Sequence, residues 1–147
     1  MFTVIPLTVS SSPAKDIIII DDEESYLDLM SQRLTENLSN RVYAFSRPLA
    51  ALEALPALNP GMVITDYYMP QINGLEFIVR ARTVLPNLPF IVITGHGVHL
   101  SRDEFSHLPE LKTVLHKPFS WQTLAAEIVR HWPDENTPAL KAEASSS

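Results

Sequence analysis

Four consecutive isoleucines, Ile17-Ile18-Ile19-Ile20, run directly into four acidic residues, Asp21-Asp22-Glu23-Glu24. A β-branched run of this length favours an extended strand. Apolar side chains at consecutive positions then need cover on both faces of the sheet, which is the situation of a strand inside a parallel sheet. Similar runs recur at Met62-Val63-Ile64-Thr65 and Phe90-Ile91-Val92-Ile93-Thr94. Residues 41–45 alternate as a strand does, and Thr113-Val114-Leu115 is a fifth, shorter run.

Helical patterns fill the gaps. Ser25-x-x-Asp28 has the spacing of a capping box, and Leu27, Met30, Leu34 and Leu38 follow at helical spacing. Ser46 is placed to cap a second helix, with Pro48 near its first position and Leu49, Leu52 and Leu55 on one face. Gly74 opens a third, carrying Leu75, Ile78 and Val79. Ser101-x-x-Glu104 caps a short fourth with Phe105 and Leu108. Ser120 caps the last, with Trp121, Leu124, Ile128 and Trp132 on one side and Pro133 as its stop; Trp132 is expected to be exposed enough to meet a partner. Five strands alternating with helices predict an α/β fold, a doubly wound five-stranded parallel sheet of the flavodoxin-like (β/α)5 type with helices on both faces.

A chain of 147 residues suits one such domain. Residues 1–14 read as a leader, residues 15–132 as the folded domain and residues 133–147 as a loose tail. The residues after Trp132 are too few for a DNA-binding output domain, so the expectation is a stand-alone unit or a piece of a longer protein. Absence of cysteine excludes a disulfide framework, thiolate metal sites and a cysteine nucleophile. With 11 basic and 17 acidic residues, the net charge of −6 opposes direct binding to a phosphate backbone. No apolar run approaches the ~20 residues that cross a bilayer, and the first nine residues lack the basic start of a signal peptide.

In doubly wound sheets the functional groups gather beyond the carboxyl ends of the strands. Asp21, Asp22, Glu23 and Glu24 follow the first strand, Asp66 the third, and Lys117-Pro118 the fifth, while Thr94 ends the fourth. Crowded carboxylates raise one another's pKa. A divalent cation relieves that crowding, and an all-oxygen site suits Mg²⁺. A carboxylate can also be the nucleophile that becomes an aspartyl phosphate. Mg²⁺, the Lys117 ammonium and the Thr94 hydroxyl would then face three phosphoryl oxygens, because phosphoryl transfer is catalysed mainly by positioning and charge. Taken singly, each member is ordinary: an acidic helix start, a turn aspartate, a surface lysine, a strand-end hydroxyl. The combination is what is specific.

Ile17-Ile18-Ile19-Ile20-Asp21-Asp22-Glu23, Thr65-Asp66-Tyr67-Tyr68-Met69-Pro70 with Asn73-Gly74, Ile93-Thr94 and Lys117-Pro118-Phe119 together resemble the receiver domain of two-component response regulators. The resemblance covers nearly all of residues 15–132, and the spacing of Asp21, Asp66, Thr94 and Lys117 agrees with it. It implies that Asp66 is the phosphoacceptor and that Asp22 binds Mg²⁺ directly. Asp21 is implied to help through water, and the Tyr68 backbone carbonyl to complete the ligands together with Asp66. Lys117 is implied to pair with Asp66 at rest, Thr94 to swing toward the phosphate, and the Lys117-Pro118 bond to be cis. The implied donor is a histidine kinase or a histidine phosphotransfer protein. The implied chemistry is self-modification without turnover of a free substrate, the implied output is a protein partner, and the implied location is cytoplasmic. A homodimer formed on phosphorylation, through the fourth and fifth helices, is compatible with the family.

Three positions depart from that pattern. Val114 stands where an aromatic switch residue is usual, residues 107–112 lack the common Gly-Ala pair, and Gly95 follows Thr94 where alanine is frequent. Val114 favours slightly the alternative of a phosphorylation-independent docking module. Retention of Asp22, Asp66, Thr94 and Lys117 opposes it. A haloacid dehalogenase type of phosphatase would need an acid at the place of Tyr68, and a dinucleotide-binding enzyme would need a Gly-rich turn after the first strand. His96 and His99 lack a third ligand nearby and read as loop residues. Bulky Tyr68 and His96 are expected to shield the acyl phosphate from water.

Overall fold

The computed structural model describes residues 14–95 and 100–141. Five strands form one parallel sheet: β1 (Asp16–Ile20), β2 (Val42–Phe45), β3 (Pro60–Asp66), β4 (Phe90–Thr94) and β5 (Leu111–His116). Their order across the sheet is β2-β1-β3-β4-β5, the doubly wound order expected of a flavodoxin-like domain. Between them run α1 (Glu24–Asn37), α2 (Pro48–Ala54), α3 (Gly74–Arg82) and α4 (Arg102–Ser106), and α5 (Trp121–Arg130) follows β5.

Strand periodicity divides the core into two layers. Ile17, Ile19, Met62, Ile64, Ile91 and Ile93 face Leu27, Met30 and Leu34 of α1 and Leu124, Ala125 and Ile128 of α5. Ile18, Ile20, Val63, Phe90 and Val92 face Ala51 of α2, Phe77, Ile78 and Ala81 of α3, and Leu108 beyond α4. The isoleucine run is thus split evenly between two cores, and all four side chains are buried. Full burial of each such side chain contributes about 1.5–3 kcal/mol.

Several local expectations are corrected. Ser25-x-x-Asp28 is not a capping box, because Glu23 is the N-cap of α1 and no side chain caps it. The Glu23 N–H instead donates to Asp21 Oδ1 at 2.9 Å, so the carboxylate that ends β1 already occupies the space in front of the helix. Ser46 does not cap α2; Arg47 is the N-cap, extended at φ −128° and ψ 126°, with Pro48 at the start of the helix. A residue before proline is pushed into the extended region, which moves the helix start one place on. On α3 the buried face is Phe77, Ile78 and Ala81, while Val79 is exposed. Trp132 is no partner-facing residue: it is 8% exposed. Its ring lies so close to Gly61 that a Cβ there would stand 2.5 Å from it.

The caps at Ser101 and Ser120 form as expected. Ser101 accepts from the Glu104 N–H, and Ser120 accepts from the Thr123 N–H. The fifth strand is longer than its apolar run, reaching from Leu111 to His116. Within the stretch read as a tail, Leu140 bridges Leu38 in antiparallel sense. There the Ser39 N–H donates to the Ala139 carbonyl at 2.9 Å and the Lys141 N–H to the Asn37 carbonyl at 2.7 Å. Among the described residues no helix is long and apolar enough to cross a membrane.

Candidate functional site

Register brings the chemistry together. Ile20 pairs with Thr65, Asp66 with Ile93, and Thr94 with His116, so β1, β3, β4 and β5 end at nearly one level. Asp21, Asp66, Thr94 and Lys117 therefore emerge side by side at the carboxyl edge of the sheet. Gly74 keeps the loop after Asp66 short and tight. Its N–H donates to the Tyr67 carbonyl at 2.8 Å, and a Cβ on it would stand 2.8 Å from the Asp66 carbonyl oxygen. Asn73 and Glu76 then close a reciprocal capping box that fixes the start of α3.

Oxygens of Asp21, Asp22 and Asp66 lie within 4.8 Å of one another. Their exposures differ in a useful way. Asp21 is buried, Asp66 is half-buried and Asp22 is exposed, so the cluster runs from the sheet outward to solvent. Burial, then the nearby Asp21 charge, pushes the Asp66 carboxyl up from its ordinary 3.8 to about 6, with Lys117 opposing. Burial likewise raises Asp21, opposed by the Glu23 N–H and by Lys117. Asp21, Asp22 and Asp66, arranged with open access on one side, are an all-oxygen donor set that fits a hard divalent cation.

Lys117 answers this charge. Its Nζ donates to Asp21 Oδ2 at 3.3 Å and stands 3.7 Å from Glu23 Oε1 and 3.8 Å from Asp66 Oδ1. The pairing with Asp66 is present, but Asp21 is the nearer partner. The Lys117 N–H also donates to the Thr94 carbonyl at 2.8 Å, tying the lysine's backbone to β4, and the Lys117-Pro118 bond is cis. The Thr94 side chain is buried, and its hydroxyl finds no partner among the described residues. Tyr68 stands in the turn after Asp66 with its ring exposed, edge-on to Tyr67 at 4.9 Å between centroids. His96 and His99 lie outside the described residues. Val114, at the usual aromatic position, is half-buried against the core layer that holds Phe90 and Val92.

Two participants escaped the sequence reading as site residues. Glu23 belongs to the acidic run but lies within ion-pair reach of Lys117. Tyr26 carries Lys117 Nζ over its ring at 4.2 Å from the centroid. Burial and the carboxylates around it push the Tyr26 phenol well above its ordinary range, so it stays neutral. The available signal was helical: Tyr26 continues the stripe of Met30 and Leu34 by one turn toward the strand ends.

The family model for the response regulator receiver domain matches residues 17–129. The chain belongs to this family. It is 31% identical over 128 residues to the transcriptional regulatory protein FixJ of Bradyrhizobium diazoefficiens, a match covering 87% of this chain and 61% of FixJ. It is 31% identical over 115 residues to the response regulator receiver protein CpdR of Brucella abortus, covering 78% of this chain and 93% of CpdR. Among solved structures, a response regulator receiver protein from Sinorhizobium medicae superposes with a TM-score of 0.66 at 28% identity, covering 82% of this chain and 95% of that one. The receiver domain of this chain thus spans nearly all of CpdR but less than two thirds of FixJ.

Proposed function

We propose that Asp66 is the phosphoacceptor of this receiver domain and that its phosphorylation switches the contacts of the domain with a protein partner. The convergence of Asp21, Asp22 and Asp66 with Lys117 at one sheet edge carries this reading. A carboxylate oxygen of Asp66 attacks phosphorus in the phosphohistidine of a histidine kinase or a histidine phosphotransfer protein. The P–O bond forms as the P–N bond breaks, and the departing imidazole nitrogen takes up a proton. The product is an acyl phosphate on this chain, a self-modification rather than turnover of a free substrate.

Asp21, Asp22, Asp66 and the Tyr68 carbonyl would hold Mg²⁺, Asp21 through water. When bound, the ion offsets the carboxylate repulsion and the charge on the phosphoryl oxygens. Lys117 shifts from the carboxylates toward one phosphoryl oxygen, for which its flexible ammonium is suited. Thr94 offers a buried hydroxyl without a partner among the described residues, and donation to another phosphoryl oxygen would satisfy it. Exposed Tyr68 stands where it can hinder water at the acyl phosphate; Tyr68→Ala is then expected to speed dephosphorylation.

The decisive test is incubation with Mg²⁺ and acetyl phosphate, read by intact mass, with Asp66→Ala alongside. Addition of one phosphoryl group to the wild type and none to the variant is expected. A folded wild type that gains nothing would refute the phosphoacceptor role and favour a phosphorylation-independent docking module.

A further inference from the structure

A lysine ammonium on a four-carbon stem settles where negative charge is densest unless something else shapes its position. Here three carboxylates compete for Lys117, yet its Nζ also lies over a neutral ring, that of Tyr26 at 4.2 Å from the centroid. The ring does not drift freely. It belongs to the first turns of α1, is half-buried, and meets Phe119 edge-to-face at 6.2 Å between centroids and 86° between planes. Phe119 follows Lys117 by two residues, so the loop that carries the lysine also braces the ring beneath it.

We propose that Tyr26 is a positioning residue of the phosphoacceptor site, whose ring face holds the Lys117 ammonium between Asp21, Glu23 and Asp66 by a cation–π contact. The inference rests on the reading of Asp66 as acceptor and of Lys117 as partner to a phosphoryl oxygen. Its chemical sense lies in the charge balance. A further carboxylate in place of the ring would hold the lysine but would add to the repulsion among Asp21, Asp22, Glu23 and Asp66 and would oppose an incoming phosphoryl group. The negative face of a neutral ring attracts the ammonium without adding net charge. Lys117 is therefore held near the acceptor yet remains able to transfer its hydrogen bonds to the phosphoryl oxygen.

The ring, not the hydroxyl, is the active part. The Tyr26 hydroxyl is buried and finds no hydrogen-bond partner among the described residues. Its removal therefore breaks no hydrogen bond seen within the described part of the protein. Ring electron density can be altered with little change in volume, which separates this role from ordinary packing.

The test measures the second-order rate constant for phosphorylation by acetyl phosphate with Mg²⁺, by intact mass, on the full chain. Tyr26→Leu is expected to lower it by about 5- to 30-fold, as for loss of a partly desolvated cation–π contact. Tyr26→Phe restores most of that loss. Mono-, di- and trifluorinated phenylalanine at position 26 then lower the rate stepwise, while urea midpoints show that each variant is folded. A rate that stays flat along the fluorinated series, or equal rates for Tyr26→Leu and Tyr26→Phe, overturns the positioning role. Lys117→Ala is the control, since fluorination should have no graded effect in its background; a graded effect there would also overturn the proposal. A wild type that takes up no phosphoryl group, with Mg²⁺ present and the protein folded, overturns the underlying reading of Asp66 and this inference with it.

Discussion

Replacing Asp66 by asparagine removes one of three crowded carboxylates and leaves the shape of the side chain nearly unchanged. The expected effect is stabilisation. The Asp66 carboxyl is raised from 3.8 to about 6, chiefly by burial and then by Asp21, and its side chain is 14% exposed, so bulk solvent screens it little. The folded form holds its proton more tightly than the unfolded chain does. Between those two pKa values the folded state binds more protons, so this group's contribution to stability falls as pH rises through the window. Above the window the full penalty of holding the charged form is present; below it the penalty is absent. A shift of this size corresponds to ~3 kcal/mol at neutral pH. Relaxation and water entry beside exposed Asp22 lessen it, and a gain of about 1–3 kcal/mol is expected for Asp66→Asn. Urea unfolding at pH 7 without divalent cations, repeated near pH 4, measures it. The variant should exceed the wild type at pH 7 and approach it near pH 4. Mg²⁺ should stabilise the wild type more than the variant. A variant less stable than the wild type at pH 7 in the absence of Mg²⁺ would refute the reasoning, because the carboxylate would then contribute net attraction.

Three further outcomes follow from the geometry. Gly74→Ala places a methyl 2.8 Å from the Asp66 carbonyl oxygen and should cost about 1–3 kcal/mol by overpacking, seen as a lower urea midpoint together with slower phosphorylation as the acceptor loop shifts. Asn73→Ala removes the cap that accepts from the Glu76 N–H at 2.8 Å; a loss of ~1 kcal/mol is expected, and an unchanged thermal midpoint would contradict it. Arg82 donates to both carboxylate oxygens of buried Glu110, at 2.7 and 2.8 Å, and these bonds hold the Glu110 carboxyl below its usual range. Arg82→Ala should lower the urea midpoint at pH 7, and its deficit should shrink as acid protonates Glu110, since a depressed carboxyl contributes stability above its unfolded pKa and loses it as pH falls through the folded one; a deficit independent of pH would speak for packing instead.

Much of the fold is legible in local pattern. Ile17-Ile18-Ile19-Ile20 announces a strand covered on both faces, and Leu27, Met30 and Leu34 announce the helix that covers one of them. Burial period and side-chain branching are properties of neighbouring residues, so they survive in one dimension. Asp21, Asp22, Asp66, Thr94 and Lys117 could be named as candidates because strands in such a sheet deliver their following residues to one edge. What the pattern could not supply is how those side chains share their partners once there. Lys117 was expected against Asp66 and is closer to Asp21, because register sets both carboxylates at one level within reach of the same ammonium. Ser25 and Ser46 looked like caps, but Asp21 and the extended residue before Pro48 decide where the helices begin. Trp132 looked free after the last helix, but its ring fills the space that Gly61 leaves beside β3. Tyr26 showed nothing unusual beyond its place on an apolar stripe, and only the meeting of α1 with the loop after β5 sets its ring beneath a lysine. Periodicity is local and was determined by the sequence alone; the choice among competing partners depends on distances between residues far apart in the chain, which exist only after the sheet has closed.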